Sequence, residues 1–244
     1  MTKSTLAGMV MAALMLASAS RAAAQTAGAP DSDFFFSAEI GAQPQQRTIE
    51  GTSSFPLYDE TATVTTEQDV HNGAIFGFNA GYRLQRNLGV AIGVTWFHAR
   101  EGDALVTASI PDPIAYNQPK IVTTTATGLK HSEVGVHLQA VWFHPVNDKF
   151  EVVLAGGPSI IKVKQDLAID VTVPPGTQNV VVAPRTESKN AFGFNAGFEG
   201  NYFFTPQYGL GLVLRYAGAS ADLPSVPDLA IGGLQVGLGL RLRF

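Results

Sequence analysis

Four arginines and four glutamates stand out by their setting. Arg83, Arg215, Arg241 and Arg243, and likewise Glu39, Glu133, Glu151 and Glu199, lie within segments where apolar residues recur at every second position. Successive side chains of a strand point to opposite faces, so each charge falls on the face away from the oily one. Buried charges must be paired, and four against four is neutral. The expected chemistry is therefore a salt-bridge plug inside a narrow barrel, whose interior is just wide enough for side chains to fill. The competing reading is a narrow or gated pore, favoured by the many glycines of inward parity. A selective pore would more naturally carry an excess of one sign.

A second set is basic. Arg100, Lys130, Lys162, Lys164 and Lys189 fall where apolar strands meet long polar segments. In an acidic chain such a cluster would suit lipopolysaccharide phosphates, and ordinary solvated rim charge is the equal alternative. A third set is a possible hydrolytic pair, His98 and Ser132, with the same outward parity at the ends of adjacent strands. A serine activated by histidine beside lipid could deacylate it. No acid is placed to orient the imidazole, because Glu101 and Glu133 have the opposite parity, so the chain is read as a non-enzyme with no catalytic residue. His71, His131, His137 and His144 lack metal-ligand spacing, and neither metal nor cofactor is expected.

The elements that must carry these residues are strands. The last eleven residues, Leu234 to Phe244, alternate apolar with polar or glycine and end on an aromatic. Seven more segments repeat the pattern: 34–43, 74–84, 88–100, 131–144, 150–164, 190–204 and 208–218. Eight is an even number, as antiparallel closure with both ends on one side requires. Connections alternate between tight turns (85–87, 145–149, 205–207) and long stretches (44–73, 101–130, 165–189, 219–231). Short turns at one rim and long loops at the other fit a barrel in an outer membrane, with the short side in the periplasm. Phe34, Tyr82, Trp142, Phe150, Tyr202 and Tyr208 would form the periplasmic girdle, and Phe76, Trp96, Phe192 and Tyr216 the outer one. A soluble barrel with the Leu/Phe face turned inward is the alternative that alternation alone leaves open.

The N-terminus reads as an export signal. Lys3 precedes the apolar run 6–16, and Ala22-Ala23-Ala24 offers a cleavage site before Gln25, giving a signal peptide over 1–24 and a barrel over 25–244. Removing 1–24 takes away Lys3 and Arg21 and leaves 14 basic and 20 acidic residues, a net charge of −6. A nucleic-acid partner needs a basic footprint and is excluded. There are no cysteines, hence no disulfide, thiolate site or lipid-attachment residue.

Two further features bear on the loops and the origin of the chain. Leu105–Ile110 with Lys120–Ala126, and 167–173 with 178–183, read as hairpins that carry the wall beyond the membrane. Phe55, Leu57 and Tyr58 in the first long connection, and Ile114 and Tyr116 in the second, are apolar residues that a host- or protein-binding loop would offer. They could equally pack on one another. The hexapeptide Phe-Gly-Phe-Asn-Ala-Gly occurs at 76–81 and 192–197. It points either to a duplicated four-stranded unit or to two strands under one constraint.

On the export signal, the eight alternating strands and the ending Gly237 to Phe244, the chain resembles the small eight-stranded outer-membrane barrels of the outer-membrane protein A and X type, including opacity-like proteins. The resemblance implies an all-β, eight-stranded antiparallel transmembrane up-and-down barrel in the cell outer membrane of a Gram-negative bacterium. It also implies insertion by the barrel-assembly machinery, which reads the C-terminal strand. Members of that family include anchors, adhesins, narrow pores and a few lipid-modifying enzymes. Because the sequence ends at Phe244 without a peptidoglycan-binding domain, a cell-wall tether is not expected. The reading is a monomeric surface-exposed structural or interaction barrel with its loops as the binding element. A passive channel for small or amphipathic solutes is the runner-up, and a lipid A-modifying hydrolase a distant third.

Overall fold

The computed structural model describes residues 34–44, 46–174, 177 and 179–244. The expected signal peptide over 1–24 lies outside them. Twelve strands run in order: β1 (Phe34–Gln43), β2 (Arg47–Leu57), β3 (Glu60–Val70), β4 (Gly73–Gln85), β5 (Leu88–Ala99), β6 (Gly102–Ile110), β7 (Lys120–Leu129), β8 (His131–Pro145), β9 (Phe150–Thr172), β10 (Val181–Phe203), β11 (Tyr208–Ala221) and β12 (Leu229–Arg243). Eight of them close a ring in the order β1-β12-β11-β10-β9-β8-β5-β4, with β4 pairing back onto β1. These are the eight strands expected from alternation.

The apolar residues face outward and the charged ones inward. Ile40, Leu138, Leu212 and Leu238 are each about 60% exposed, whereas Glu133, Glu151, Arg215 and Arg241 are buried. A continuous outer belt of Leu, Val, Ile and Phe is untenable in water and suited to lipid, which disposes of the soluble alternative. The wall is staggered. From Ala42 the paired residues run through Val236, Leu214, Phe198, Leu154, Trp142 and Leu88 to Gln85 on β4. Ala42 also pairs directly with Ala74 of β4. The circuit therefore returns eleven residues further along, one of them the bulge between Arg83 and Gln85. A stagger of that size goes with strands tilted by roughly 40°.

The short rim is closed by side-chain-capped turns. Asn147 Oδ1 accepts the amides of Lys149 and Phe150 at 2.9 Å, and Thr205 Oγ1 accepts that of Tyr208 at 3.0 Å. Both residue types mimic a backbone turn in this way.

At the other end the structure departs from expectation. The first long connection is no loop: β2 and β3 form a hairpin over Tyr58 and Asp59, whose φ angles of 53° and 59° mark a type I′ turn. The hairpin expected over 105–126 is present as β6 and β7, but it does not extend the wall. It joins β2 and β3 in a separate four-stranded sheet, β2-β3-β6-β7. Only β9 and β10 carry the barrel wall upward, pairing as far as Thr172 and Val181. The fourth connection also shortens, because β11 and β12 pair as far as Ala221 and Leu229.

Two apolar cores hold this upper half together. Ala62, Val64, Ala104, Val106, Ala108, Ile110 and Leu129 form the buried face of the separate sheet, against Ala168, Val171 and Val182 of the β9–β10 hairpin. Phe55 and Leu57 lie partly buried against the same core rather than free on the surface. Below it, Ile49, Val70, Val163, Leu223, Val226 and Ile231 fill the barrel mouth.

Candidate functional site: the lumen and the outer head

The polar residues of inward parity meet in the lumen as a stack of side-chain layers. At the short-turn end, Glu151 accepts Arg243 Nη2 at 2.6 Å and Arg83 Nη2 at 3.2 Å. The two guanidinium groups lie over aromatic rings, Arg83 over Phe143 at 4.0 Å and Arg243 over Phe203 at 3.4 Å. Such cation–π contacts supplement charge pairing where water is scarce. Next above, Glu39 Oε2 accepts Arg215 Nη2 at 3.0 Å, and its Oε1 accepts Arg241 Nη2 at 3.3 Å and Asn79 Nδ2 at 2.8 Å. Arg241 also grips Glu199 through Nε at 2.9 Å and Nη2 at 2.8 Å.

Higher still the layer is uncharged. His137 bonds Thr95 Oγ1 at 2.9 Å and Ser159 Oγ at 2.8 Å, while Asn195 receives Gln139 Nε2 at 2.7 Å. The two copies of the hexapeptide sit on β4 and β10, four strands apart in the eight-stranded ring. Each turns its asparagine, Asn79 or Asn195, into the lumen as a bridge between strands.

Seven of the eight expected charges are thus brought together. Glu133 is not. It sits at the mouth, where its Oε1 meets His131 Nε2 at 2.8 Å and its Oε2 accepts the Gly232 amide at 2.9 Å. Its cationic neighbour is Arg47 Nη2, at 3.9 Å, a residue of β2 with no signal in the alternation. His131 and His137 could have been found by parity, since they share a face with Glu133 and Gln139.

The inward glycines are sockets rather than open space. A Cβ on Gly93 would stand 2.2 Å from Asn79 Oδ1, on Gly211 2.3 Å from Asn201 Oδ1, and on Gly239 2.4 Å from Arg241 Nη1. Each missing side chain is the room into which a neighbour's polar group fits. What space is left amounts to cavities of about 30 Å³ beside Asn79, Glu151 and Arg243, and about 20 Å³ beside Glu39, Thr95 and Arg215. That is room for a water molecule or two in each.

The five basic residues are all exposed but do not form one cluster. Lys162 and Lys164 lie on the outward face of β9, in register with Val134 and Ser132 of β8. Lys189 is opposite Val163 and so has the other parity. Lys130 meets Glu101 at 3.8 Å at the surface, and Arg100 donates its amide to Asn72 O at 3.1 Å. His98 is directly opposite Ser132 across the β5–β8 ladder, as expected, with Lys164 as the next residue in that row. Among the described residues no acid orients His98.

The tip of the separate sheet presents Ile114 and Tyr116, 95% and 70% exposed. The segment is held from beneath. Asp112 Oδ1 accepts the amides of Ile114 at 2.8 Å and Ala115 at 2.9 Å, and Glu60 Oε1 accepts that of Asn117 at 3.0 Å. The two amides hold the Asp112 carboxyl below the ordinary carboxylate range.

Residues 9–244 match the family described as the outer membrane protein beta-barrel domain. Solved structures with a similar course include Neisserial surface protein A (NspA), at 16% identity and a TM-score of 0.45, covering 86% of this chain and 97% of that one. Ail, the attachment invasion locus protein of Yersinia pestis, is similar at 11% identity and a TM-score of 0.40, covering 86% and 99%. OprG of Pseudomonas aeruginosa is similar at 11% and 0.44, covering 87% and 97%. Comparison with curated protein sequences returned no match.

Proposed function

The chain belongs to the outer membrane protein β-barrel family, and we propose that it is a monomeric surface-interaction protein whose sealed barrel holds a rigid outer head as the binding element. One observation carries this reading. The β2-β3-β6-β7 sheet is held by an apolar core against the β9–β10 hairpin, and it mounts Ile114 and Tyr116 on a turn already fixed by Asp112 and Glu60. Large exposed apolar side chains on a pre-ordered turn are what an anchor at a protein interface requires, because little ordering entropy is left to lose on binding. The remaining outer face of the sheet is uncharged over the rank Thr52–Thr65–Thr107–Thr123, which offers a partner hydroxyls and methyls without a desolvated charge.

The channel reading is weakened by the lumen's content. Glu39, Glu199, Arg215 and Arg241 pair with one another, the glycine sockets are filled, and the residual cavities have room for no more than a water molecule or two. Lys162 and Lys164, side by side where the outward face turns polar, would meet phosphates of outer-leaflet lipopolysaccharide and fix the barrel's height.

The test is adherence of a non-adherent Gram-negative strain displaying the chain, measured on cultured host cells and on immobilised matrix proteins. Display of the parent is expected to raise adherence, and the paired change Ile114→Ser with Tyr116→Ser to remove the gain at equal surface amount. Adherence that is absent in the parent, or unchanged by the pair, contradicts the proposal.

A further inference from the structure

A cavity of about 370 Å³ lies on the lipid-facing side of β10, β11 and β12, outside the lumen, and reaches Arg47 at the foot of the head. Its origin is local. Phe194, Gly218 and Gly232 stand in one row across the three strands, with Ala196, Tyr216 and Leu234 in the row below. Gly218, in outward register, and Gly232, whose Cβ would be directed at the Ala217 carbonyl, put no side chain over this row and leave a trough two strands wide, about 10 Å at the usual strand spacing. Aromatic rings wall it: Tyr216 lies against Gly218, where a Cβ would be 3.0 Å from its Cε1, and Phe194 meets Tyr216 at 5.7 Å between centroids. Phe192, 83% exposed, stands at the rim. Gly232 takes a φ of +81°, which fixes glycine there, whereas at Gly218 only space is at stake.

The far end of the trough is cationic. The β1–β12 ladder stops at Ala42 and Val236, so the carbonyls of Ala230 and Gly232 lie above it without a strand partner on that side. Arg47 donates to both, and Gln43 Nε2 adds a bond to Gly232 O at 2.9 Å. The Arg47 side chain also lines the trough. Glu133 Oε1 stands 3.9 Å from the same Nη2 that donates to Gly232 O, on the mouth side.

We propose that this trough seats one acyl chain of outer-leaflet lipid A, with a phosphate of the same molecule at Arg47. Three observations select that occupant. The trough opens toward lipid, at the long-connection end of the wall where Phe192 and Tyr216 mark the outer girdle. Its walls are apolar or backbone except for Ser220 and Arg47, and its volume is within the range of small-molecule sites. A guanidinium at the end of an apolar groove complements an amphiphile whose head is a phosphate. The inference rests on the outer-membrane placement of the chain and is independent of what the head binds.

The experiment is native mass spectrometry of the folded chain released from phosphatidylglycerol nanodiscs doped with lipid A. The parent is expected to retain one lipid A at activation energies that strip phosphatidylglycerol. Gly218→Leu fills the floor from an outward position and should lower that retention by about tenfold or more, as expected when several methylenes lose their apolar contact. Arg47→Gln should abolish the preference for bisphosphorylated over dephosphorylated lipid A while leaving the dephosphorylated lipid bound. Folding is checked by the mobility of unheated samples on gels; if Gly218→Leu fails that check, Ala230→Phe fills the same trough from the row above. Retention of phosphatidylglycerol equal to that of lipid A, or retention by the folded filled variant equal to the parent's, overturns the proposal. Loss of adherence in a head variant would leave these results untouched.

Discussion

Arg215 and Glu39 meet at 3.0 Å with their side chains 4% and 8% exposed, so neither charge has solvent to fall back on. Arg215→Glu would place two carboxylates together and leave Arg241 as the counter-charge for Glu39, Glu199 and the new one. Removing one partner of a buried pair costs about 3–5 kcal/mol, and the urea midpoint of the refolded variant, followed by circular dichroism, should fall accordingly. An unchanged midpoint would mean that the lumen is wetter than its packing implies. A subtler change tests the sockets: Gly93→Ala sets a methyl where Asn79 Oδ1 now lies, displacing the amide from Ser37 and Glu39. The expected loss is about 1–3 kcal/mol, the cost of orphaning a buried polar group, read from the same unfolding curve. Much of this layer was legible from parity alone, because a residue flanked by apolar neighbours in a strand has only one other face to occupy. What parity could not supply was the partner. Glu133 shares the inward face with Glu151 and Glu199, yet the stagger of the wall lifts it to the mouth, beside Arg47 from another sheet.

At the scale of the element, the outer head was the least legible part. Glu60 to Val70 does alternate, but its buried positions are Ala62, Val64, Thr66, Gln68 and Val70. Two polar residues in five blur the apolar rhythm, and Thr66 and Gln68 are accommodated by bonds to Gly51 O and Asp166 O. The turn between β2 and β3 uses Tyr58 and Asp59 at positive φ, without the Asn-Gly or Gly that signals a hairpin. Because this sheet packs on the β9–β10 extension without joining the ladder of the ring, it should fail separately from the barrel. Val106→Asp, at a fully buried position, is expected to open the head to proteolysis while the barrel keeps its folded mobility on gels. Joint loss of both would show that head and wall form one cooperative unit. The tip adds a pH dependence. The amides of Ile114 and Ala115 hold the Asp112 carboxyl below its ordinary value, so its folded-state pKa lies below the unfolded one. The stabilisation is present above the unfolded value and is lost as pH falls through the folded one. The protection factors of the Ala115 and Ile114 amides, measured against the intrinsic exchange rate at each pH, should therefore fall in that acidic window and stay level between pH 6 and about 8, where the carboxylate is fully ionised.

For the whole molecule, closure was legible because it follows from counting. Eight alternating strands, tight turns at one rim and long connections at the other leave few arrangements other than an antiparallel ring. The division of labour was not, because it depends on how connections fold on one another. The first and second long connections make a sheet outside the ring, while the third extends the ring itself. The result is a barrel with paired charges at its middle and the apolar core of Ile49, Val163, Leu223 and Ile231 at its mouth. We read the chain as a sealed wall carrying an ordered outer head, and ion conductance of the refolded chain in a planar bilayer separates a sealed lumen from a pore. Protein shown to be folded is predicted to give no discrete current steps across the accessible voltage range. Reproducible steps of defined size, with selectivity altered by Arg215→Glu at little cost in stability, would contradict the claim and make the lumen charges the working site.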